Sequence, residues 1–146
     1  MVTILLTYKD KYASYQLSIE NRIICAEVSG AIGKSFVERY NSDFCLLMEQ
    51  IGNEPWGHFA DFRQCEALTK EAQDATEFLH RLAKQRGCVV AAYQMDSALL
   101  TSQVNSIRQN SDLPRLSNQV FFTSRSEAIQ YIENVLATLN ATVQSS

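Results

Sequence analysis

Polar side chains follow several predicted strands of this chain and could together form one site. Asp61 lies in the apolar segment 57–62, and Arg63 and Thr69 come after it. In an open α/β sheet, ligands bind beyond the carboxyl ends of the parallel strands, where helix N-termini offer unpaired N–H groups. We therefore predict a rim that binds a polar or anionic ligand or a protein partner. Its residues are Asp61, Arg63, Thr69, Tyr93, Gln94, Asp96, Ser97, Thr123, Ser124 and Arg125.

Helix capping is the alternative explanation for three hydroxyl residues of this rim. Thr69, Ser97 and Ser124 each precede a predicted helix. A hydroxyl at that position accepts a hydrogen bond from one of the first unpaired N–H groups of the helix. Each residue taken singly is better explained as a cap, whereas the rim as a whole is evenly balanced between capping and binding.

Asp61 and Cys65 are the side chains that could take part in catalysis. A carboxylate within a buried strand needs a partner such as Arg63 or backbone N–H groups, and it could be a general base with a raised pKa. Cys65 could be a reactive thiol if Arg63 lowers its pKa. The alternatives are a structural anchor and an inert, half-buried thiol. Because the sequence fixes no second acid, histidine or nucleophile beside Asp61, we predict that the protein is not an enzyme.

The cysteines and histidines show no metal-binding pattern. The four cysteines are Cys25, Cys45, Cys65 and Cys88. They form no CxxC pair and have no histidine at ligand spacing, so we expect free thiols. His58 and His80 belong to no catalytic signature and are expected to be surface or hydrogen-bonded structural histidines. The segment GAIGKS at 30–35 imitates a phosphate-binding loop, but Val28 stands where that motif requires a glycine. We expect no metal and no cofactor.

The length and charge of the chain narrow the class of protein further. The chain has 146 residues, a formal net charge of -3 and a pI near 5.4. Phosphate-backbone binding needs clustered Lys and Arg, so nucleic acid is not an expected partner. No apolar run reaches the length of about 18 residues that a membrane span requires, and residues 2–6 are too short for a signal-peptide core. We expect a cytoplasmic protein.

Hydrophobic periodicity predicts the order of strands and helices. Alternating residues 15–20 and the apolar segment 22–28 form an antiparallel hairpin that turns at Asn21. Residues 1–11 are either an additional edge strand or an apolar arm packed on the domain or on a partner. Further strands are predicted at 57–62, 88–93 and 120–122. Helices are predicted at 37–51, 69–87, 97–111 and 124–139, the third ending at Asp112-Leu113-Pro114. A polar loop covers residues 63–68, and residues 140–146 form a frayed tail.

These elements predict one α/β domain over residues 1–146. It contains a mixed, mainly parallel sheet of about five strands, with an N-terminal antiparallel hairpin and about four helices. The element order and the segments VSGA at 28–31, WGHFADFR at 56–63 and EAI at 127–129 resemble the STAS superfamily in its SpoIIAA-like bacterial branch. The resemblance covers roughly residues 12–136 and implies a regulatory or protein-interaction module in bacterial signalling.

The resemblance also implies a switch, although this chain departs from its motif. Anti-sigma factor antagonists of that superfamily bind a kinase partner and are phosphorylated on a serine in a DSSGLG-type motif after the central strand. The corresponding segment here is ALTKEA at 67–72, which lacks the Asp-Ser pair and both glycines. Thr69 is the nearest hydroxyl and the candidate phosphorylation site. A related lipid-carrying fold, CRAL-TRIO, implies a small apolar or amphipathic ligand as an alternative, and a homodimer stays open.

Overall fold

A five-stranded mixed sheet forms the centre of the protein, and helices pack on both of its faces. The computed structural model describes residues 2–111 and 121–144. The strands are β1 (Val2–Lys9), β2 (Ala13–Glu20), β3 (Ile23–Ile32), β4 (Trp56–Leu68) and β5 (Cys88–Gln94), adjacent in that order. The β1–β2 and β2–β3 pairs are antiparallel, and the β3–β4 and β4–β5 pairs are parallel. The helices are α1 (Lys34–Ile51), α2 (Lys70–Gln85), α3 (Ala98–Asn110) and α4 (Arg125–Gln144).

The N-terminal hairpin forms as its alternating pattern predicts. Asn21 occupies the turn between β2 and β3 with a φ of 56°, a left-handed conformation that asparagine tolerates. Residues 2–9 pair with β2, so the edge-strand alternative is the one observed. The predicted fold class is confirmed: one α/β domain with a mixed five-stranded sheet and four helices.

Two apolar layers lie on opposite faces of the sheet. The larger layer packs α1, α2 and α3 against β2–β5, and its centre includes Leu17, Leu47 and Trp56. The smaller layer packs α4 against the other face through residues such as Phe59 and Ile132. Gly57 permits this approach, because a Cβ atom at that position would collide with the side chain of Ile132. The domain is therefore a three-layer structure with a thin third layer.

Gly30 belongs to the sheet rather than to a phosphate-binding loop. Its φ is +97°, and a Cβ atom there would collide with the backbone of Tyr12 and Ala13. Glycine is required at this point because only glycine combines a left-handed φ with such close backbone contact. The resemblance of segment 30–35 to a phosphate-binding loop has this structural explanation.

The prediction of a loop over residues 63–68 is wrong, because β4 continues to Leu68. Its second half pairs with β3, joining Ser29 to Gln64 and Gly30 to Cys65. Between the pairs Glu27–Asp61 and Ser29–Gln64, two residues of β4 lie opposite the single residue Val28 of β3, which is a β-bulge. After the bulge, the alternation of side chains between the two faces is shifted by one residue. The polar residues of this segment belong to an exposed strand edge rather than to a loop.

Two other elements differ from the predictions. Of the predicted strand 120–122, Phe121 forms an isolated parallel bridge with Tyr93, and residue 120 lies outside the described residues. The predicted stop at 112–114 also lies outside them. α4 extends to Gln144 and continues past its last packed apolar residues. Residues 140–144 are therefore helical, whereas the sequence predicted a frayed tail there. In the described part of the chain, no helix is both long enough and apolar enough to cross a membrane.

Candidate functional site

A row of polar residues crosses the sheet on the face that carries α4. Gln16, Glu27, Asp61 and Gln94 are direct cross-strand neighbours on β2 to β5. Phe59, two positions before Asp61, packs in the α4 layer, and alternation therefore places these four residues on the same face. α4 packs on β4 and β5, and Gln16 and Glu27 are exposed. We call these four residues the polar row.

Asp61 forms a bidentate ion pair with Arg63. The Nε and Nη2 atoms of Arg63 donate to the two carboxylate oxygens of Asp61 at 3.0 and 2.8 Å, and the Arg63 backbone N–H donates at 3.1 Å. The Asp61 side chain is 14% exposed and the Arg63 side chain 47%. The hydrogen bonds from the Arg63 guanidinium lower the pKa of Asp61. Arg63, the predicted partner of Asp61, is thus observed. The alternative that Asp61 is a general base with a raised pKa is wrong, because its pKa is lowered.

Arg125 connects the start of α4 to the hairpin. Its Nη2 atom donates to Glu20 Oε2 at 2.8 Å, and its guanidinium lies 5.4 Å from the ring centre of Phe59. The positive charge of Arg125 also contributes to the lowered pKa of Asp61. Ser124 accepts a hydrogen bond from the N–H of Glu127, which is the predicted helix cap. Arg125 therefore lies beside the polar row and stabilises α4 on the sheet.

Gln94 and Asp96 occupy the β5 end of the row. Gln94 is buried, and its Nε2 atom donates to the carbonyl oxygen of Thr123 at 3.0 Å. Asp96 is exposed, and its negative charge helps to raise the pKa of Arg63. The structure therefore brings together Asp61, Arg63, Gln94, Asp96 and Arg125 from the predicted rim.

Thr69 and Ser97 act as helix caps. Thr69 Oγ1 accepts from the N–H of Ala72 at 3.1 Å at the start of α2, and Ser97 Oγ accepts from the N–H of Leu100 at 3.1 Å at the start of α3. The capping interpretation is confirmed for both. The extension of β4 separates Thr69 from Asp61 by roughly 25 Å at about 3.3 Å per residue. Thr69 is exposed and does not join the polar row.

Cys65 is buried in the larger apolar layer. Burial raises the pKa of its thiol to about 12, and the Arg63 guanidinium is not among the charges that act on it. Of the two alternatives, the structure contradicts the reactive thiol and agrees with the inert one, because the bulge directs Cys65 into the core. All four cysteines are free thiols, as the sequence predicts.

A cavity of about 380 Å³ lies between the sheet and the helices α1, α2 and α3 and reaches β5 and α4. Most of its lining is aliphatic or aromatic. Arg108 of α3 is 8% exposed, lines the cavity and donates from Nη1 to the Tyr93 hydroxyl at 2.8 Å. The Arg108 guanidinium also lies 5.6 Å from the ring centre of Tyr93. A charged group therefore lies inside a mainly apolar cavity.

Two histidines line the same cavity. The Nδ1 atom of His58 lies 2.9 Å from the carbonyl oxygen of Ile24, and that of His80 lies 3.0 Å from the carbonyl oxygen of Thr76. Since carbonyl oxygens accept, each Nδ1 carries the hydrogen and each Nε2 is an acceptor. Burial lowers the pKa of both rings to about 4, so both are neutral at pH 7. Of the two alternatives left by the sequence, both histidines are hydrogen-bonded inside the protein rather than exposed at its surface.

The sequence interpretation did not identify this cavity. The available signal was a polar residue within each apolar helical stripe: Arg108 stands four residues after Val104, and His80 stands next to Leu79. Such residues on a buried face require a partner or a ligand.

Comparison with known proteins supports the fold. No protein-family model matches the chain, and no curated protein matches it in sequence. The fold that the sequence resemblance implies is confirmed by similarity to a solved structure. It is similar to the crystal structure of an anti-sigma factor antagonist from Mycobacterium paratuberculosis, with a TM-score of 0.58 and 10% sequence identity. The match covers 83% of this chain and 94% of that chain. At this identity the similarity establishes the fold alone.

Proposed function

We propose that this protein is a non-enzymatic regulatory module that acts in the cytoplasm by binding a protein partner at the polar row. The observation that carries the proposal is an exposed polar strand face beside the ionised Asp61–Arg63 pair. The Arg63 side chain of that pair is accessible to a partner, because it is 47% exposed. The exposed Arg63 and the exposed Glu27 together suit recognition of a partner surface that carries complementary charges of both signs, with a positive group opposite Glu27. The fold shared with an anti-sigma factor antagonist is consistent with this role.

The pKa directions of the two candidate reactive groups support a non-enzymatic role. The lowered pKa of Asp61 keeps it ionised and bound to Arg63, and the raised pKa of Cys65 keeps it protonated. A general base needs a pKa close to the working pH, and a nucleophilic cysteine needs a thiolate. Neither residue meets its requirement.

Charge reversal in the polar row tests the proposal. The tagged protein and its Glu27→Lys variant are expressed in the native host, cross-linked and purified, and the bound proteins are quantified by mass spectrometry. Glu38→Lys in α1 is the matched control, since Glu38 is also exposed but lies on the helix layer of the opposite face. We expect a specific partner that Glu27→Lys loses and Glu38→Lys retains. Equal capture by both variants would contradict binding at the polar row.

Phosphorylation of Thr69 is the regulatory element of the proposal. Thr69 is exposed at the N-terminus of α2, where unpaired N–H groups and the helix dipole favour a phosphate group. The added charge would change the surface at the end of β4. Intact-mass measurement of the protein purified from its native host tests this step. Absence of a phosphate on Thr69 under every growth condition would remove it from the proposal.

A second candidate function is the binding of a small apolar or amphipathic molecule in the cavity. The specific observation is a volume of about 380 Å³, which lies within the usual range of about 300–1,000 Å³ for ligand pockets. Native mass spectrometry of the protein purified without organic solvents tests this function. A retained small molecule supports it, and a mass equal to that of the bare chain in every preparation counts against a tightly held ligand.

A further inference from the structure

We propose that the cavity binds a small uncharged molecule whose hydroxyl group donates a hydrogen bond to the Nε2 atom of His80 and whose apolar body lies between the sheet and the helices. This inference rests on the second candidate function, the binding of a small molecule in the cavity, and it assigns the chemical class of that molecule. It is independent of the polar row, which lies on the other face of the sheet.

His80 presents a hydrogen-bond acceptor that has no donor. Its Nδ1 atom lies 3.0 Å from the carbonyl oxygen of Thr76, so Nδ1 carries the hydrogen and Nε2 is the acceptor. The Nε2 atom is shielded from solvent and has no hydrogen-bond partner in the described part of the chain. Buried polar atoms are rarely left in that state. Because His80 lines the cavity, a molecule inside the cavity can supply the missing donor.

The charges near His80 select an uncharged donor. Arg108 and Lys84 line the same cavity and are both cationic, and the charge of Arg108 lowers the pKa of His80. An ammonium group would supply a donor but would meet these like charges inside the protein. A carboxylate is ionised at neutral pH and has no hydrogen to donate. A hydroxyl group meets both conditions, because it donates one hydrogen and carries no charge.

The rest of the lining selects an apolar body. Phe44, Leu79, Val104 and Ile107 are among the side chains that surround the cavity. A water molecule at His80 would satisfy the acceptor but would leave most of this apolar volume unfilled. The volume of about 380 Å³ accommodates roughly a dozen water-sized groups at about 30 Å³ each. A substituted phenol or a medium-chain alcohol with about ten non-hydrogen atoms fits this space.

Titration calorimetry with 4-ethylphenol and 1-ethyl-4-fluorobenzene tests the hydrogen bond. The two probes share the ring and the ethyl group, and the second has a fluorine, which cannot donate, in place of the hydroxyl. A cavity without an acceptor would favour the fluorine compound, because burial of an unpaired hydroxyl is costly. We expect the full-length protein to bind 4-ethylphenol about tenfold more tightly, through one additional buried hydrogen bond. Equal or tighter binding of the fluorine compound would overturn the proposal.

Variants assign the hydrogen bond to His80 and the binding to the cavity. His80→Phe keeps a ring but removes the acceptor, and it should reduce the preference for 4-ethylphenol to less than about twofold. Lys34→Gln removes an exposed charge that pairs with Glu38, and it should leave both affinities unchanged. Ala83→Phe places a ring in the cavity from α2 and should abolish binding of both probes. An unchanged preference in folded His80→Phe, or unchanged binding in folded Ala83→Phe, would overturn the proposal.

A ¹⁵N NMR measurement on the wild type tests the contact even if His80→Phe does not fold. In protein labelled with ¹⁵N-histidine, the resonance of an unprotonated ring nitrogen moves upfield when that nitrogen accepts a hydrogen bond. We expect 4-ethylphenol to move the His80 Nε2 resonance upfield and 1-ethyl-4-fluorobenzene to cause a clearly smaller shift. Equal shifts with the two probes at saturation would contradict the hydrogen bond.

The outcomes separate this inference from the proposed functions. Equal binding of the two probes would retain a ligand-binding cavity and reject the hydroxyl donor. Tighter binding of 4-ethylbenzoate than of 4-ethylphenol would reject the uncharged head group. Failure of both 4-ethylphenol and the fluorine compound to bind the folded protein would reject this inference and count against the cavity function, and it would leave partner binding at the polar row unaffected.

Discussion

The two histidines of the cavity predict a loss of stability in mild acid. His58 and His80 are neutral in the folded protein, and burial lowers the pKa of each from 6.5 to about 4. In the unfolded chain both return to a pKa near 6.5. As the pH falls below about 6.5, the unfolded state binds protons that the folded state does not bind until the pH approaches 4. The free energy of unfolding therefore decreases through this window.

The size of the effect follows from the two pKa values. At pH 5 an unfolded histidine is almost fully protonated, whereas a folded histidine with a pKa of about 4 is about one tenth protonated. Linkage then gives a loss of about 2 kcal/mol for each histidine relative to pH 8. His58 and His80 together lower the free energy of unfolding by about 4 kcal/mol. That loss is a large part of the 5–15 kcal/mol by which a typical domain is stable.

Urea unfolding followed by tryptophan fluorescence measures this loss. Trp56 is the single tryptophan of the chain and is fully buried, so its emission reports unfolding directly. The free energy of unfolding is measured at pH 8, 7, 6 and 5 for the wild type and for His80→Gln, which removes one of the two titrating groups. We expect the loss between pH 8 and pH 5 to be about 4 kcal/mol in the wild type and about 2 kcal/mol in the variant.

The pH range over which the free energy of unfolding decreases identifies the two histidines as the groups responsible. Asp61 has a lowered pKa, so its contribution is lost only as the pH falls below its ordinary value of 3.8, outside this range. Lys34→Gln does not change the number of groups that titrate between pH 8 and 5 and serves as the control. A wild-type loss below about 1 kcal/mol, or an equal loss in His80→Gln, would refute the assignment of neutral buried histidines.

Three further predictions concern the cap, the buried thiol and the sheet. Thr69→Ala should lower the free energy of unfolding by about 0.5–2 kcal/mol through loss of the α2 cap, as measured by urea unfolding. Cys65 should react with a thiol reagent at pH 8 at least about 100-fold more slowly than a peptide thiol, and denaturant should remove the difference; equal rates in the folded state would contradict its burial. Gly30→Ala should be destabilising by more than about 1 kcal/mol, because its Cβ would meet the backbone of Tyr12 and its φ is left-handed. Gly33→Ala, with open space around the new Cβ, should have a smaller effect in the same assay.

The elements with a clear hydrophobic period could be predicted from the sequence. The hairpin around Asn21 and the inner face of α1 follow from alternation and from helical spacing. The second half of β4 could not be predicted, because the bulge after Asp61 shifts the period and its outer residues are polar. A sequence pattern of this kind is the same for a loop and for an exposed strand edge.

The candidate site was predicted in part, and the reasons lie in tertiary contacts. The partnership of Asp61 with Arg63 follows from the cost of a buried carboxylate, which can be derived from the sequence alone. The separation of Thr69 from that pair depends on the length of β4, which was predicted wrongly. The convergence of His58, His80 and Arg108 depends on how three elements pack, and a sequence pattern does not contain that distance information.

The central claim is that a protein partner binds at the polar row, and the affinity of the captured partner for purified variants tests it most directly. Biolayer interferometry with that partner should give equal dissociation constants for the wild type and Glu38→Lys. Glu27→Lys should weaken binding by at least about tenfold, which corresponds to about 1.4 kcal/mol. Equal dissociation constants for all three folded proteins would contradict the claim.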